Sequence, residues 1–256
     1  HASNARDSRS HAARFFGFAV ADYRPGELPA NRAACDRLSR AFEAWTAQNA
    51  VRLCCCTVPA TDREWIAILP RLGFDYVDFT LRVTLPGLQT AGLPESHVSV
   101  RPAEAAEAHQ AALLAAEAFR FGRYHGDARF PLQLANARYG KWIENAAAAG
   151  PGSRLYVIGD GSKVDGFYHV TIERDTADLR LAAVAAPLQR TLLGFELYAS
   201  TLAELKRAGV RRVVSRISAA NTAVMNVYAM LGFRFSAPEP VFHWHSQDSD
   251  QIPRVD

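Results

Sequence analysis

The run RISAANTAVMNVYAMLGFRF, Arg216 to Phe235, decides how this chain is read. Arg211-Arg212-Val213-Val214-Ser215-Arg216-Ile217 leads into it as a strand. Val224, Met225, Val227, Tyr228 and Leu231 then recur at the spacing that gathers apolar groups on one helical face. Gly232 ends that helix, because a residue without Cβ enters a left-handed cap at little cost. Phe233-Arg234-Phe235 starts another strand, so the unit is strand, helix, tight turn, strand.

The same turn occurs earlier. Leu72-Gly73-Phe74 precedes Leu231-Gly232-Phe233 by 159 residues (72 against 231). That one shift lays a helix from Asn31 over one from Arg190, and a strand from Val51 over that from Val210, without a gap. Leu69 then stands in the place of Tyr228, Asp62 in that of Asn221, and Cys35 in that of Gly194. The early copy keeps packing residues and lacks the polar and glycine residues that chemistry would use. The expected organisation is a degenerate half over 12–86, a Gly- and Pro-rich linker over 87–96 and a complete half over 97–247; two chance turns of one sequence are the plainer alternative.

Between these landmarks the pattern predicts strands at Phe15–Tyr23, Val51–Val58 and Asp75–Leu85, with helices at Asn31–Gln48 and from Thr61 or Asp62 to Leu72. In the second half it predicts a strand at Val98–Arg101, helices at Pro102–Ala118 and Pro131–Ala149, and strands at Leu155–Gly159, Val164–Glu173 and Leu179–Val184. A helix from Gln189 to Ala208 and a last strand at Val241–His245 complete the set.

With 256 residues and 49% hydrophobic content, the chain can bury a large core. Net charge is +3 with dispersed basic residues and no aromatic-interleaved basic run, which argues against nucleic acid, while a mildly positive cleft suits a phosphate-rich ligand. Cys54, Cys55 and Cys56 alternate across a strand and cannot converge on a metal or bridge one another, so a reducing, cytoplasmic setting is expected. No run reaches the roughly 20 apolar residues of a membrane helix, and no membrane association is expected.

Asn221, Ala223, Tyr228 and Leu231-Gly232-Phe233, in that order, resemble the C-terminal motif of the GNAT superfamily of acetyl-coenzyme A dependent N-acetyltransferases. Trp142-Ile143-Glu144-Asn145-Ala146, Phe15-Phe16-Gly17 and His243-Trp244-His245 make the chain look most like the TDP-fucosamine acetyltransferase group. The resemblance implies an α/β (α+β) GNAT acyl-CoA N-acyltransferase fold, a mixed central sheet flanked by helices, with a degenerate GNAT-like N-terminal half. It implies acetyl-CoA as cosubstrate and a small-molecule primary amine as acceptor, such as that of a nucleotide-linked deoxyamino sugar; a homodimer is left open. Transfer would be direct, since no cysteine stands in 97–247.

By family position, Val184 to Glu196 is the coenzyme loop, with Gln189 and Gly194 matching, Leu192 in place of the first glycine, and Arg190 also expected to meet the coenzyme. Ala182, Ala183 and Val184 would offer a strand edge to the pantetheine, an alanine N–H polarising the acetyl carbonyl. An ordinary strand-to-helix turn and a plain buried strand are the bland readings. Asn221 either caps its helix or also binds coenzyme A. Tyr228, otherwise a core aromatic, would be the acid that protonates the departing thiolate. Tyr124, His125, Trp142, Asn145 and His169 fall in the family's acceptor region, and His169, Glu173, His125 and Glu144 are the available bases. His243 and His245 share a strand face, but two histidines without a third ligand give no metal site, and none is expected. A non-catalytic GNAT-like module, its phosphate site closed by Leu192, is the competing function.

Overall fold

The computed structural model describes residues 5–6, 15–189 and 191–246; Arg190, expected at the coenzyme loop, lies outside them. Helices α1 (Arg32–Gln48), α2 (Arg63–Ile68), α3 (Ala105–Ala118), α4 (Leu132–Ala147), α5 (Leu193–Arg207) and α6 (Thr222–Met230) flank a sheet of eleven strands. The strands are β1 (Ala5–Arg6), β2 (Ala19–Tyr23), β3 (Val51–Thr57), β4 (Asp75–Pro86), β5 (Arg101–Pro102), β6 (Ser153–Gly159), β7 (Val164–Glu173), β8 (Thr176–Val184), β9 (Arg212–Ser218), β10 (Arg234–Phe235) and β11 (Glu239–His245). Their order across the sheet is β1-β2-β3-β11-β4-β9-β8-β7-β6-β5, with β10 pairing β4 off this path. No helix among the described residues is long and apolar enough to cross a membrane.

Three local signals terminate elements where the sequence places them. Asn31, Asp62 and Asn221 each cap a helix, their side chains accepting from the N–H of Ala34, Trp65 and Val224. Asp62 and Asn221, 159 residues apart, share nearly one backbone conformation, φ −86° with ψ 70° and φ −86° with ψ 69°. Gly73 and Gly232 turn left-handed at φ 82° and 80°, and Phe74 N–H and Phe233 N–H return to Leu69 O and Tyr228 O at 3.1 and 3.0 Å.

The sheet carries the correspondence further. Antiparallel β11–β3 pairs Val241 with Thr57 through His245 with Leu53, and β4–β9 pairs Arg82 with Arg216 through Pro86 with Arg212. These are the same five rungs at the same shift of 159 residues, with the partners exchanged. Each half gives its last strand to the other half, and β11 lies between β3 and β4. The connection over 87–96 is packed: Leu88 is fully buried, and Gln89 Nε2 donates to Val210 O at 2.6 Å.

Cys54 and Cys56 face the apolar cluster of Tyr23, Phe42, Trp65, Leu69 and Phe74 under α1 and α2, whereas Cys55 faces Phe16, Tyr124 and Phe130 on the other side. This alternation matches the sequence expectation; all three thiols are free and buried. In the second half, Tyr168, Leu197, Tyr198, Leu202, Tyr228 and Phe233 form the core beneath α5 and α6, and α3 with α4 covers Leu155, Val157, Phe167 and Leu181. Helix α3 starts at Ala105 rather than Pro102, because Glu104 and Glu107 form a capping box at that point.

The two left-handed glycines separate conformation from packing. A Cβ on Gly232 would meet no atom within 4 Å, whereas one on Gly73 would lie 3.2 Å from Trp244 Cδ1. Gly232→Ala should cost about 1 kcal/mol, the penalty of a left-handed alanine, and Gly73→Ala measurably more. Equal midpoints in urea denaturation would refute the packing share.

Candidate functional site

Strands β8 and β9 pair in parallel from Thr176 opposite Arg212 to Leu179 opposite Ser215, and no further. Beyond that rung β8 stays bonded to β7 as far as Val184, and β9 stays bonded to β4 as far as Ser218. The two arms therefore diverge. A register shift between His169 and Val170 leaves Arg180 unmatched, a bulge of the kind that bends a strand away from its neighbour. Over Arg180–Val184, the edge of β8 facing β9 has no strand partner, and Ala182 and Ala183 on it are half-buried.

This arm leads into the expected coenzyme loop. Helix α5 begins at Leu193, whose N–H donates to Thr191 Oγ1 at 3.2 Å, and a helix start is the kind of place that favours an anion. Leu192, 76% exposed, points its side chain to solvent, and a Cβ on Gly194 would meet nothing within 4 Å. Among the described residues nothing lies over Gly194, and the Leu192 side chain stands in solvent. Gln189 is exposed, its Nε2 donating to Val184 O at 3.4 Å. Glu196 in the first turn is already engaged, accepting from Ser96 Oγ and His97 N–H. Asn221 spends its Oδ1 on the cap of α6.

Tyr228 departs from the expectation of a phenol facing an open slot. Its ring is 2% exposed, enclosed by Tyr198 at 5.4 Å and Phe233 at 4.6 Å between centroids. Its hydroxyl lies 3.2 Å from Tyr168 Oη and interacts with Ser215, the residue at the last rung before the fork. Burial pushes the phenol up to about 12, with Ser215 and Tyr168 pulling the other way. The group stands at the crotch of the fork, covered by aromatic rings.

On the opposite face of the sheet, Trp142, Asn145 and His169 line one cavity of about 590 Å³ together with Arg138, Lys141 and Arg180. Arg123, Arg138, Trp142 and Arg180 also line an adjoining groove of about 690 Å³ across β4, β8 and β9. Six arginines line that groove, Arg82, Arg123, Arg138, Arg180, Arg212 and Arg216, against Asp78 and Asp178. Arg138 and Arg180 lie over the Trp142 ring at 4.8 and 5.3 Å, so the indole carries two guanidinium groups. Tyr124, largely buried, lines the same groove, with the guanidinium groups of Arg123 and Arg138 over its ring at 5.0 and 4.9 Å. His125 stacks on Tyr139, with its Nε2 2.9 Å from Asn136 Oδ1, and is not among the residues that line the cavity or the groove. Sequence reading missed the arginine groove, because its members come from β4, β8, β9 and α4 and form no run.

His169 is held neutral. Burial, with Arg180 nearby, lowers it to about 4, and its Nε2 lies 3.0 Å from Ser153 Oγ. Of the other bases considered, Glu144 is paired with Lys141 at 2.9 Å and Glu173 is exposed.

His243 and His245 also need correcting. Asp127, from the loop between α3 and α4, places its Oδ2 2.7 Å from His243 Nδ1 and 2.6 Å from His245 Nε2, supplying the third group that the sequence did not disclose. Burial alone would raise the Asp127 carboxyl, but the two imidazoles outweigh it and hold the group well below the usual carboxylate range.

No protein-family model matches this chain, and no curated protein sequence matches it. Solved structures do. The chain is similar to a GCN5-related N-acetyltransferase from Sphaerobacter thermophilus (TM-score 0.62, 15% identity, 95% of this chain and 76% of that one). It is similar to a GCN5-related N-acetyltransferase from Kribbella flavida (TM-score 0.56, 12% identity, 91% and 84%). It is also similar to a tandem GNAT protein from the clavulanic acid biosynthesis pathway (TM-score 0.54, 17% identity, 93% and 76%). The fold is that of GNAT N-acetyltransferases, a mixed central sheet flanked by helices, along most of the chain.

The neutral His169 has a measurable signature. Its folded value near 4 is below the ordinary 6.5, so the unfolded chain binds its proton first as pH falls. Its contribution is complete above about pH 6.5 and is lost toward pH 4, on the order of 2–3 kcal/mol. His169→Gln should flatten that part of the stability–pH curve measured by urea denaturation; an unchanged slope would show that the imidazole is not buried neutral.

Proposed function

We propose that this protein is an N-acetyltransferase that moves the acetyl group of acetyl-CoA directly to a primary amine. The observation that carries this reading is the fork. Two parallel strands part at Leu179 and Ser215, and the free edge of β8 runs from there to the start of α5. The unpaired edge of β8 over Ala182, Ala183 and Val184, where alternate amides point away from β7, suits a pantetheine arm, and the first turn of α5, with Gln189 and Gly194 beside it, suits a pyrophosphate. Acetyl-CoA supplies an activated thioester carbonyl. An Ala182 or Ala183 N–H would polarise that carbonyl, and Tyr228, at the base of the fork, would give its proton to the leaving sulfur. The neutral imidazole of His169, facing the acceptor cavity, is the base best placed to take the proton of the attacking amine.

The acceptor in this reading carries negative charge. Six arginines around one groove fit phosphate or carboxylate groups, and Trp142 gives a sugar or base ring a face to stack on. This supports an amino sugar linked to a nucleotide, the acceptor implied by the resemblance to the TDP-fucosamine acetyltransferase group. The division into a degenerate half at 12–86 and a catalytic half at 97–247 belongs to the same proposal: Leu69 replaces the tyrosine and Asp62 the asparagine, so only the second half carries the chemistry.

One observation favours the alternative, a GNAT-like binding module without catalysis: the sealed ring of Tyr228. Thermal shift tests the coenzyme site on which the enzyme reading depends, against a module whose phosphate site is closed. Coenzyme A at 100 times its dissociation constant should add about 2.7 kcal/mol of stability, and no shift at millimolar ligand would favour the module.

Two substitutions test the enzyme. Tyr228→Phe should leave coenzyme A affinity nearly unchanged and lower turnover by about 10²-fold or more, as for loss of a general acid. Equal rates in a free-thiol assay would remove the role. Arg180→Ala should raise KM for an anionic amine by about tenfold and leave KM for acetyl-CoA within twofold, roughly the 1.4 kcal/mol expected of one charge-assisted contact. A panel in which neutral amines compete equally would sink the anionic acceptor.

A further inference from the structure

Three metal-ligating side chains meet in the interior, on residues that line neither the acceptor cavity nor the arginine groove. His243 and His245 are two apart on β11, so the pleat projects both from one face. Asp127 reaches them from the loop between α3 and α4, and the three are 0%, 4% and 6% exposed. The donor atoms Asp127 Oδ2, His243 Nδ1 and His245 Nε2 all lie within 4.8 Å of one another. The outer oxygen, Oδ1, accepts the N–H of Arg129 at 3.0 Å, the kind of support that orients a ligating carboxylate.

The loop is shaped to bring the carboxylate there. A Cβ on Gly126 would lie 1.9 Å from Val77 O, so only glycine lets this backbone press against β4. His125 and Gly126 both donate to Gly122 O at 2.9 Å, and Phe130 packs on Phe16 and Tyr124 at 4.9 Å. Asp127 is therefore delivered beside β11 by a turn that admits no other residue at its neighbour.

Within the protein, a single carboxylate oxygen is shared by both imidazoles. Among the described residues His245 Nδ1 has no hydrogen-bond partner, and the His243 ring is also hydrogen-bonded to the Cys55 thiol. Lone pairs on the two inner nitrogens, with the carboxylate, make a three-ligand site. We propose that Asp127, His243 and His245 bind one zinc ion, which ties the loop after α3 to the strand inserted between β3 and β4. Two imidazoles and one carboxylate at about 2.0–2.2 Å are an ordinary zinc donor set. A tetrahedral ion needs its ligands roughly 3.3 Å apart, so the 2.6 and 2.7 Å separations widen by about 0.6–0.7 Å on binding. Cys55 stands directly across the ladder from His243, placing a thiol next to the site. The role is structural, since the ligands are enclosed and belong to neither half of the acceptor region.

The test uses the full chain and zinc alone. Protein stripped with dipicolinate, dialysed and exposed to zinc sulfate should retain one zinc per chain after gel filtration, by mass spectrometry of the metal. Its melting temperature should rise with zinc and fall again with chelator. Cobalt(II) in its place should give the visible absorption of a low-coordinate site. His245→Gln and Asp127→Asn should weaken zinc binding by more than about 100-fold, the upper end of the loss for an outer-shell partner. If a variant fails to fold, the wild-type stoichiometry and cobalt spectrum decide alone. Folded wild-type protein that retains no more zinc than His243→Gln, and whose melting ignores both zinc and chelator, would overturn the site and leave a metal-free hydrogen-bonded trio. None of these readouts depends on acetyl transfer.

Discussion

The ladder that holds β11 between β3 and β4 is the constraint on which the other features rest. Because β11 occupies the inner edge of β3, strand β4 must find its other partner in β9, and one sheet results in place of two. The arginine groove follows directly: Arg82 comes from one half and Arg180, Arg212 and Arg216 from the other. Arg82 stands opposite Arg216 in the ladder, a like-charge pair that is unfavourable by itself. Glu239 of β11 bridges them, at 3.1 Å from Arg82 and 3.6 Å from Arg216. The inserted strand thus supplies both the geometry that creates the groove and the carboxylate that relieves it.

The two segments related by the shift of 159 residues share backbone features and differ in side chains. Cap, left-handed glycine and ladder register recur at one shift, while the side chains at the fork do not. Leu69, in the place of Tyr228, is fully buried and simply fills the core under α1 and α2. In the second half that place carries a hydroxyl bonded to Tyr168, and Tyr198 meets its ring edge-on, so three phenols gather there. Burying polar atoms costs stability unless they are paired, as the Tyr168 and Tyr228 hydroxyls are with each other.

Much of this was legible in the sequence, because caps, turns and apolar spacing are local. Asn31, Asp62 and Asn221 announced three helices, and Gly73 and Gly232 their ends. Trp142, Asn145 and His169 were placed together and share a cavity. What was hidden depends on register or on long separation. The bulge at Arg180 is a mismatch between β7 and β8 that neither strand shows alone. Asp127 lies 116 residues from His243, and the strand exchange cannot be seen from an echo that fixes the elements but not their partners. The stacking of His125 on Tyr139 is set by tertiary packing.

The inserted strand also orders events during synthesis. Until residues 239–245 emerge, β3 has β2 on one edge and nothing on the other, and β4 likewise waits for its neighbours from the second half. Such bare edges are templates for pairing between chains, and closing them over nearly two hundred residues is slow. A nascent or truncated chain that stops short of this strand exposes both, so the burden of guarding them falls on whatever attends the polypeptide as it leaves the ribosome.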